Sequence, residues 1–476
     1  MTNPSATAAT GDSEKLSLNT KLAYGAGDAG SGITVTILTF SLMVFFTNVA
    51  GLDPRTAGNI LAIGKVWDAI NDPIVGVMSD RTRSRWGRRR PWMMFGAIPF
   101  GIFFFLQWLV PHFSSDPSVN KAGLFWYYVL ISILFNTAFT AVNLPYTALT
   151  PELTKDYNER TSLNSFRFAF SIGGSILSLL LGLVIFNVVT DPIQQYLALG
   201  AVCAILSVFP IYWCVWGTKE RYTVDSEPSL PILEQLKIVL SNRPFLYVIG
   251  IYLCSWLAFQ LTATILPYFV VNRMEMGSYF PIALAVQGVA IVMLFVWSAV
   301  SKQQGKRTVY FLGMSLWIAA QGGLFFLHPG QTFLLYILAA MAGVGVATAY
   351  LVPWSMLPDV IELDELRTGQ RREGIFYAFL VFLQKISLFL ALLIVGQALG
   401  NAGFVEATPG QLPPPQPDSA IEAIRWMIGP VPTLVLLIGL VLAYFYPITR
   451  EVHAEILLKL RQRREIQPLQ EEDGGS

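Results

Sequence analysis

Apolar runs of about 20 residues, bounded by charge, proline or glycine, recur from one end of this chain to the other. As helices, such runs are long enough to cross about 30 Å of hydrocarbon. They predict spans near 23–49, 56–79, 91–111, 122–150, 162–188, 194–217, 244–271, 278–301, 308–328, 332–357, 374–400 and 421–449. The expected fold is therefore an all-α membrane protein with twelve transmembrane helices. Two polar breaks are long. KERYTVDSEPSLPILEQLKIVLSNRP falls between the sixth and seventh spans, and its residues 231–240 predict a short helix on the membrane surface. GNAGFVEATPGQLPPPQPDSA precedes the last span, and its prolines predict irregular backbone. The first break divides the chain into a tail 1–22, a six-helix half 23–217, a middle loop 218–243, a second half 244–449 and a tail 450–476. Two halves of six suggest duplicated units that rock about a central site. No residue-level repeat is legible, so that expectation rests on topology.

Basic residues set the orientation, because cytoplasmic loops carry the excess of Lys and Arg. One side holds Lys15, Lys21, the run Arg81, Arg83, Arg85, Arg88, Arg89 and Arg90, then Lys155, Arg160, Lys219, Arg221, Lys237 and Arg243. Lys302, Lys306, Arg307, Arg367, Arg371, Arg372 and a basic C-terminal tail join them. The opposite loops hold Arg55, Lys121 and Arg273, with Arg425 at a span edge. A missed span would invert every later loop, so the asymmetry also checks the number of spans. Both termini are expected in the cytoplasm, with the chain in the cell (inner) membrane. The polar N-terminal MTNPSATAATGDSEK has no apolar core, so the first span is expected to be retained as an anchor.

Composition narrows the function. The chain is 54% hydrophobic and 13% charged, about half the charge of a soluble protein. A net charge of +1 with no basic patch gives no support for a nucleic-acid partner. Cys203, Cys214 and Cys254 all lie in apolar runs, without disulfide or metal-ligand spacing. His112, His328 and His453 lie at span ends or in the tail, and no nucleophile motif, metal box or phosphate loop accompanies them. A membrane-embedded enzyme or a sensor is thus a remote alternative to a carrier, although paired carboxylates can serve as acid and base.

Charge inside the second span needs a reason. A charged side chain at mid-membrane costs at least about 2.5 kcal/mol. Lys65, Asp68 and Asp72 in KVWDAINDPIVG fall at spacings of three and four, on one helical stripe bordered by Asn71. Pro73 frees a carbonyl one turn earlier. Two carboxylates, an amide oxygen and a loosened carbonyl suit a hard cation. The alternative is a structural ion-pair network completed by Lys385 or Arg167. Such pairs rarely stabilise more than apolar residues do, so a purely structural network tends to be dispensable.

WDAINDP (67–73), SDRTRSRWGRRRPW (79–92), NLPYTALTPE (143–152), PWSMLPDVIELDE (353–365) and REGIFYAFLVFLQK (372–385) occur in order along nearly the whole chain. Together they resemble the glycoside–pentoside–hexuronide cation symporters of the major facilitator superfamily. The resemblance implies symport of a sugar or glycoside with Na⁺ or H⁺ by alternating access, no cofactor beyond that ion, and membrane lipid as surroundings. It implies a cation site of Asp68, Asn71, Asp72 and Thr140, with Na⁺ at the two aspartates. It also implies a solute site of Asn143, Arg167, Tyr350 and Lys385. The family's galactoside carriers place carboxylates on spans one and four, where this chain has Gly32 and Asn143. Asp28, one turn before Gly32, could reach the cavity or be a polar residue near the span end. A galactoside specificity therefore does not transfer. The same motifs resemble the sodium-dependent lysophospholipid symporters, which makes a lysophospholipid the alternative solute. Asp80, Arg81 and Arg88 resemble the superfamily's gating loop, and Asp359, Glu362, Arg372 and Glu373 are expected to face it across a cytoplasmic seam. Asp364, Glu365 and Arg371 lie in the same acidic-to-basic stretch. Gly25, Gly27, Gly30, Gly32, Gly173 and Gly174 predict close helix contacts. A monomer contains everything this scheme requires.

Overall fold

A computed structural model describes residues 15–222, 232–370, 372–409, 411 and 413–473. Expectations for residues 1–14, 223–231, Arg371 and 474–476 lie outside the described residues.

Helices occupy the places of all twelve predicted spans. They are α1 (Leu18–Asn48), α2 (Pro54–Arg81), α3 (Arg90–Leu106), α4 (Pro117–Ala148), α5 (Tyr157–Val188) and α6 (Pro192–Gly217), followed by α7 (Arg243–Arg273), α8 (Phe280–Gln304), α9 (Lys306–Phe326), α10 (Thr332–Thr368), α11 (Glu373–Asn401) and α12 (Asp418–Phe445). Among the described residues ten are long and apolar enough to cross a membrane unaided. The other two are α3, which has 17 residues, and α2, which carries Lys65, Asp68 and Asp72 in its middle. Large apolar side chains stand exposed on the helices, Phe333 at 80% and Phe295 at 76%, as lipid-facing surfaces require. The middle loop contains the expected short helix, at Ile232–Ser241, and a further helix follows the last span at Arg450–Asp473.

Helix ends depart from the hydrophobic boundaries where capping chemistry outweighs hydropathy. Asp116 accepts the amide hydrogens of Ser118 and Val119 ahead of Pro117, so α4 starts before its apolar run. Asp191 caps α6 and Asn242 caps α7 in the same manner. Helix α10 continues through Pro353, Pro358 and the charged PDVIELDE segment, eleven residues beyond the apolar run's end near 357, until Gly369 ends it with φ +72°. Helix α12 is broken at Gly429.

The chain divides into two compact units, 1–52, 63–228 and 407–413 in the first, and 53–62, 229–406 and 414–476 in the second. In the first, α1 packs on α5 and α6, and α3 packs on α4 and α6. In the second, α7 packs on α11 and α12, and α9 packs on α10 and α12. Shifted by six helices, these four pairings correspond, so the duplication absent from the residues is present in this part of the packing. The first turns of α2 sit with α11 in the second unit. There Arg55 donates to the Gly400 carbonyl at 3.0 Å and to Asn401 Oδ1 at 2.7 Å.

Glycine makes the α1 contacts possible. A Cβ at Gly30 would stand 2.6 Å from the Ser207 carbonyl oxygen, and one at Gly174 would stand 2.5 Å from that of Ala29. At Gly32 a Cβ would overlap the Ser171 carbonyl of α5 outright. Gly173, also expected in such a contact, faces open space. Overpacking of this kind costs about 1–3 kcal/mol. Gly32→Val should lower the Tm of the purified protein in detergent by several degrees, whereas Gly173→Ala should leave it within a degree; equal effects would contradict this packing.

Candidate functional site

Helix α2 presents its polar stripe to α4. The Thr140 hydroxyl lies 3.0 Å from Asp72 Oδ1 and 3.3 Å from Asp68 Oδ1, so one donor is shared between two carboxylates. One turn towards the start of α2, Lys65 Nζ donates to Asn136 Oδ1 at 3.1 Å, and Trp67 Nε1 donates to Thr137 Oγ1 at 2.8 Å. Asn136 is held in turn by its amide bond to the Ser132 carbonyl. Asp68 and Asn71 are 5% and 4% exposed, and the Asn71 amide nitrogen is buried without a hydrogen-bond partner. Pro73 sits within the continuous helix and leaves the Ala69 carbonyl without its usual amide donor. All four residues predicted for the cation thus lie together on α2 and α4. Their oxygens are carboxylate, amide and hydroxyl, a donor set suited to Na⁺ or to a proton carried as a carboxylic acid.

A second cluster in the same unit surrounds a break in α1. At Gly27 and Asp28 the helix tightens, with amide bonds from Gly27 to Tyr24 and from Asp28 to Gly25, before resuming at Ala29. Asp28, 5% exposed, accepts from Arg167 Nε at 3.0 Å. No side chain fits at position 32, one turn on, where a Cβ would overlap the Ser171 carbonyl. The Arg167 guanidinium also lies 5.7 Å from the centre of the Tyr146 ring. Tyr146 stacks on Tyr24 at 5.0 Å and donates to the Tyr24 carbonyl. Ser31 of α1 donates to Asn143 Oδ1 at 3.4 Å. Sequence reasoning did not single out Tyr146, Ser31 or Asn136. The position of Tyr146 inside NLPYTALTPE was the available signal.

In the second unit, Tyr350 of α10 packs against Trp256 and Phe259 of α7, with ring centres 5.5 and 5.3 Å apart. Lys385 lies on α11, half-buried.

Most residues expected to gate lie in two charged clusters, one in each unit. In the first, Arg89 pairs with Asp80 and with Glu152, and Arg88 pairs with Glu152 at 2.5 Å. Glu220 accepts the backbone amides of residues 88, 89 and 90. Partial burial alone would lower the Arg88 pKa; the Glu152 bond and charge outweigh it and hold the guanidinium above its ordinary value. Arg81 is exposed. In the second, Lys306 Nζ binds Asp359 at 2.6 Å, Arg372 clasps Asp364 at 2.8 Å, and His453 of the C-terminal helix lies 2.6 Å from Glu362 Oε2 and 3.3 Å from Asp359 Oδ1. Glu373 opens α11 and is half-buried. These bonds brace each unit internally. Glu152, Glu220 and Lys306 enter the clusters from separate loops and spans, which local sequence does not connect.

The family described as MFS/sugar transport protein matches residues 23–450. An uncharacterized symporter of Synechocystis is 49% identical, over 95% of this chain and 98% of its own. The sodium-dependent lysophosphatidylcholine symporter 1 of Mus musculus is 28% identical over 97% and 90%, and a putative sulfoquinovose importer of Salmonella typhimurium is 29% identical over 94% and 94%. Among solved structures, a bacterial homologue of the lysosomal transporter Spinster superposes with a TM-score of 0.66 at 12% identity, covering 92% and 97% of the two chains. The xylose transporter XylE from E. coli superposes at 0.62 with 15% identity, covering 92% and 98%. Both show a shared fold.

Breaking a largely buried charge pair is destabilising because one partner is left uncompensated. Asp28→Asn and Arg167→Gln should each lower stability by about 1–3 kcal/mol, less than the about 3–5 kcal/mol of a fully buried pair because Arg167 is 23% exposed. The double variant should recover part of that loss in a thermal-melt cycle; strict additivity would mean that the pair makes no net interaction.

Proposed function

Because this chain belongs to the MFS/sugar transport protein family, and is by that membership a multi-pass membrane transporter and not an enzyme, we propose that it is a cation-coupled symporter of a sugar or glycoside. The observation that carries this reading is the single Thr140 hydroxyl shared by Asp68 and Asp72. Two carboxylates one turn apart on a membrane helix repel each other, and a bound Na⁺ or proton is what offsets that repulsion. Binding of the ion orders α2 against α4. In the first unit the groups offered to the solute are Arg167 with Asp28, Asn143 and Tyr146; in the second, taken by itself, they are Tyr350 and Lys385. Coupling of this kind is reciprocal, so solute must tighten cation binding by the factor by which cation tightens solute binding. The loaded carrier then alternates its access. The two charged clusters are the parts that would be rearranged as it does so; with Glu152, Asp359 and Asp364 buried in them, remaking these contacts costs more than the about 0–1 kcal/mol of a surface pair. The carrier would lie in the inner membrane with both termini in the cytoplasm.

A lysophospholipid is the second reading. It is favoured by the mouse relative and by the neutral Asn143 and side-chain-free Gly32, where galactoside carriers have carboxylates.

Proteoliposomes with an imposed Na⁺ or H⁺ gradient test the coupling. The parent should concentrate its solute. Asp68→Asn and Asp72→Asn should abolish concentration, and Thr140→Val should raise the ion concentration needed for half-maximal uptake about tenfold, the worth of one hydrogen bond to a charged group. Thr140→Ser should behave as the parent. Undiminished accumulation by both aspartate variants would refute the assignment.

A further inference from the structure

Along α7, Trp256, Gln260 and Thr264 follow one another at spacings of four and form one stripe of the helix. Gln260 and Thr264 are 5% and 2% exposed. Among the described residues, Trp256 Nε1, Gln260 Oε1 and Thr264 Oγ1 have no hydrogen-bond partner. Neighbouring hydroxyls off this stripe are satisfied. Ser255 bonds the Ile251 carbonyl and the Tyr310 hydroxyl, while Thr262 donates to the Ala258 carbonyl and accepts from Gln321. A buried polar atom left unpaired costs about 1–3 kcal/mol. Three of them in register on one helix ask for a common partner.

The chemistry of the three atoms defines that partner. The indole nitrogen donates, the amide oxygen accepts and the hydroxyl does both. The aromatic group of Trp256, Phe259 and Tyr350 lies at the start of the stripe. A sugar ring offers the complement, with hydroxyls that donate and accept around its edge and an apolar C–H face for an aromatic ring. An acyl chain would satisfy none of the three polar atoms.

We infer that Trp256, Gln260 and Thr264 form a hydroxyl-reading wall for a pyranoside ring, with Tyr350 and Phe259 as its apolar neighbours. The inference rests on the symporter reading, since the ring belongs to the transported solute, and it selects a glycoside over a lysolipid.

The test uses the purified full chain in nanodiscs, titrated calorimetrically in the presence of Na⁺. The probes are p-nitrophenyl glucosides, galactosides and glucuronides of both anomers, and 1-palmitoyl-lysophosphatidylcholine. At least one hexoside should bind the parent. Gln260→Leu and Thr264→Val should each weaken that hexoside about tenfold, and Trp256→Phe, which keeps a ring and loses the N–H, about fivefold. Each variant removes an unpaired polar atom, so its ligand-free Tm should equal or exceed that of the parent; a merely structural role would lower it. The inference is overturned if no hexoside binds the parent, if only the lysolipid binds, or if all three variants bind within twofold of the parent. Gradient-driven uptake keeps the two readings apart. If hexoside binding depends on the stripe while Asp68→Asn still concentrates hexoside, the coupling scheme fails and the wall stands. If uptake follows the gradient but ignores the stripe, the wall alone fails.

Discussion

Two carboxylates on one turn of α2, at a depth where a membrane supplies no water, constrain much of the first unit. Their like charges must be offset from within the protein or by a guest, because the hydrocarbon around them cannot do it. The first unit meets this demand by polar contacts between α2 and α4. Thr140 reaches both aspartates, while Asn136 and Thr137 hold Lys65 and Trp67 one turn away. These bonds also fix the rotation of α2, since turning the stripe away from α4 would break all four. A helix too charged to pass as an ordinary span thereby acquires a unique orientation.

The break in α1 follows a related logic. Helices α1, α5 and α6 approach so closely that carbonyls of one lie where a Cβ of the other would stand. That proximity excludes any side chain at position 32. Asp28 stands one turn earlier, where the helix tightens into i→i−3 bonds, and its carboxylate meets Arg167. The second unit repeats the helix pairings of the first but fills its inner stripe with aromatic rings and neutral polar groups in place of acids. The duplicated scaffold thus carries two different side-chain sets, paired carboxylates with a hydroxyl on α2 and α4 of one unit and aromatic rings with neutral polar groups on α7 of the other.

The cytoplasmic charge clusters show why residue-type reasoning reaches only so far. Opposite signs on two loops suggest that the loops meet. Arg88, Arg89 and Lys306 each have an acid partner within their own unit, because Glu152 and Glu220 are brought to the arginine loop by the ends of α4 and α6, and Lys306 to Asp359 by the start of α9. His453 reaches the same acids from the C-terminal helix.

Hydropathy and its period determined, without coordinates, that the chain is all-helical, crosses a membrane and has six spans in each half. Those facts follow from solvent alone, because a backbone in hydrocarbon must satisfy its own hydrogen bonds. Spacing also determined that Lys65, Asp68 and Asp72 share one face, since the helical repeat places residues three and four apart together. Neither rule says which face of which other helix that stripe will meet. The pairing with Thr140, the meeting of Asp28 with Arg167, the extension of α10 past its apolar run and the orphaned stripe on α7 were all decided by tertiary structure. They depend on how near two backbones come and on which partners that nearness leaves within reach, quantities set by contacts between segments far apart in the chain.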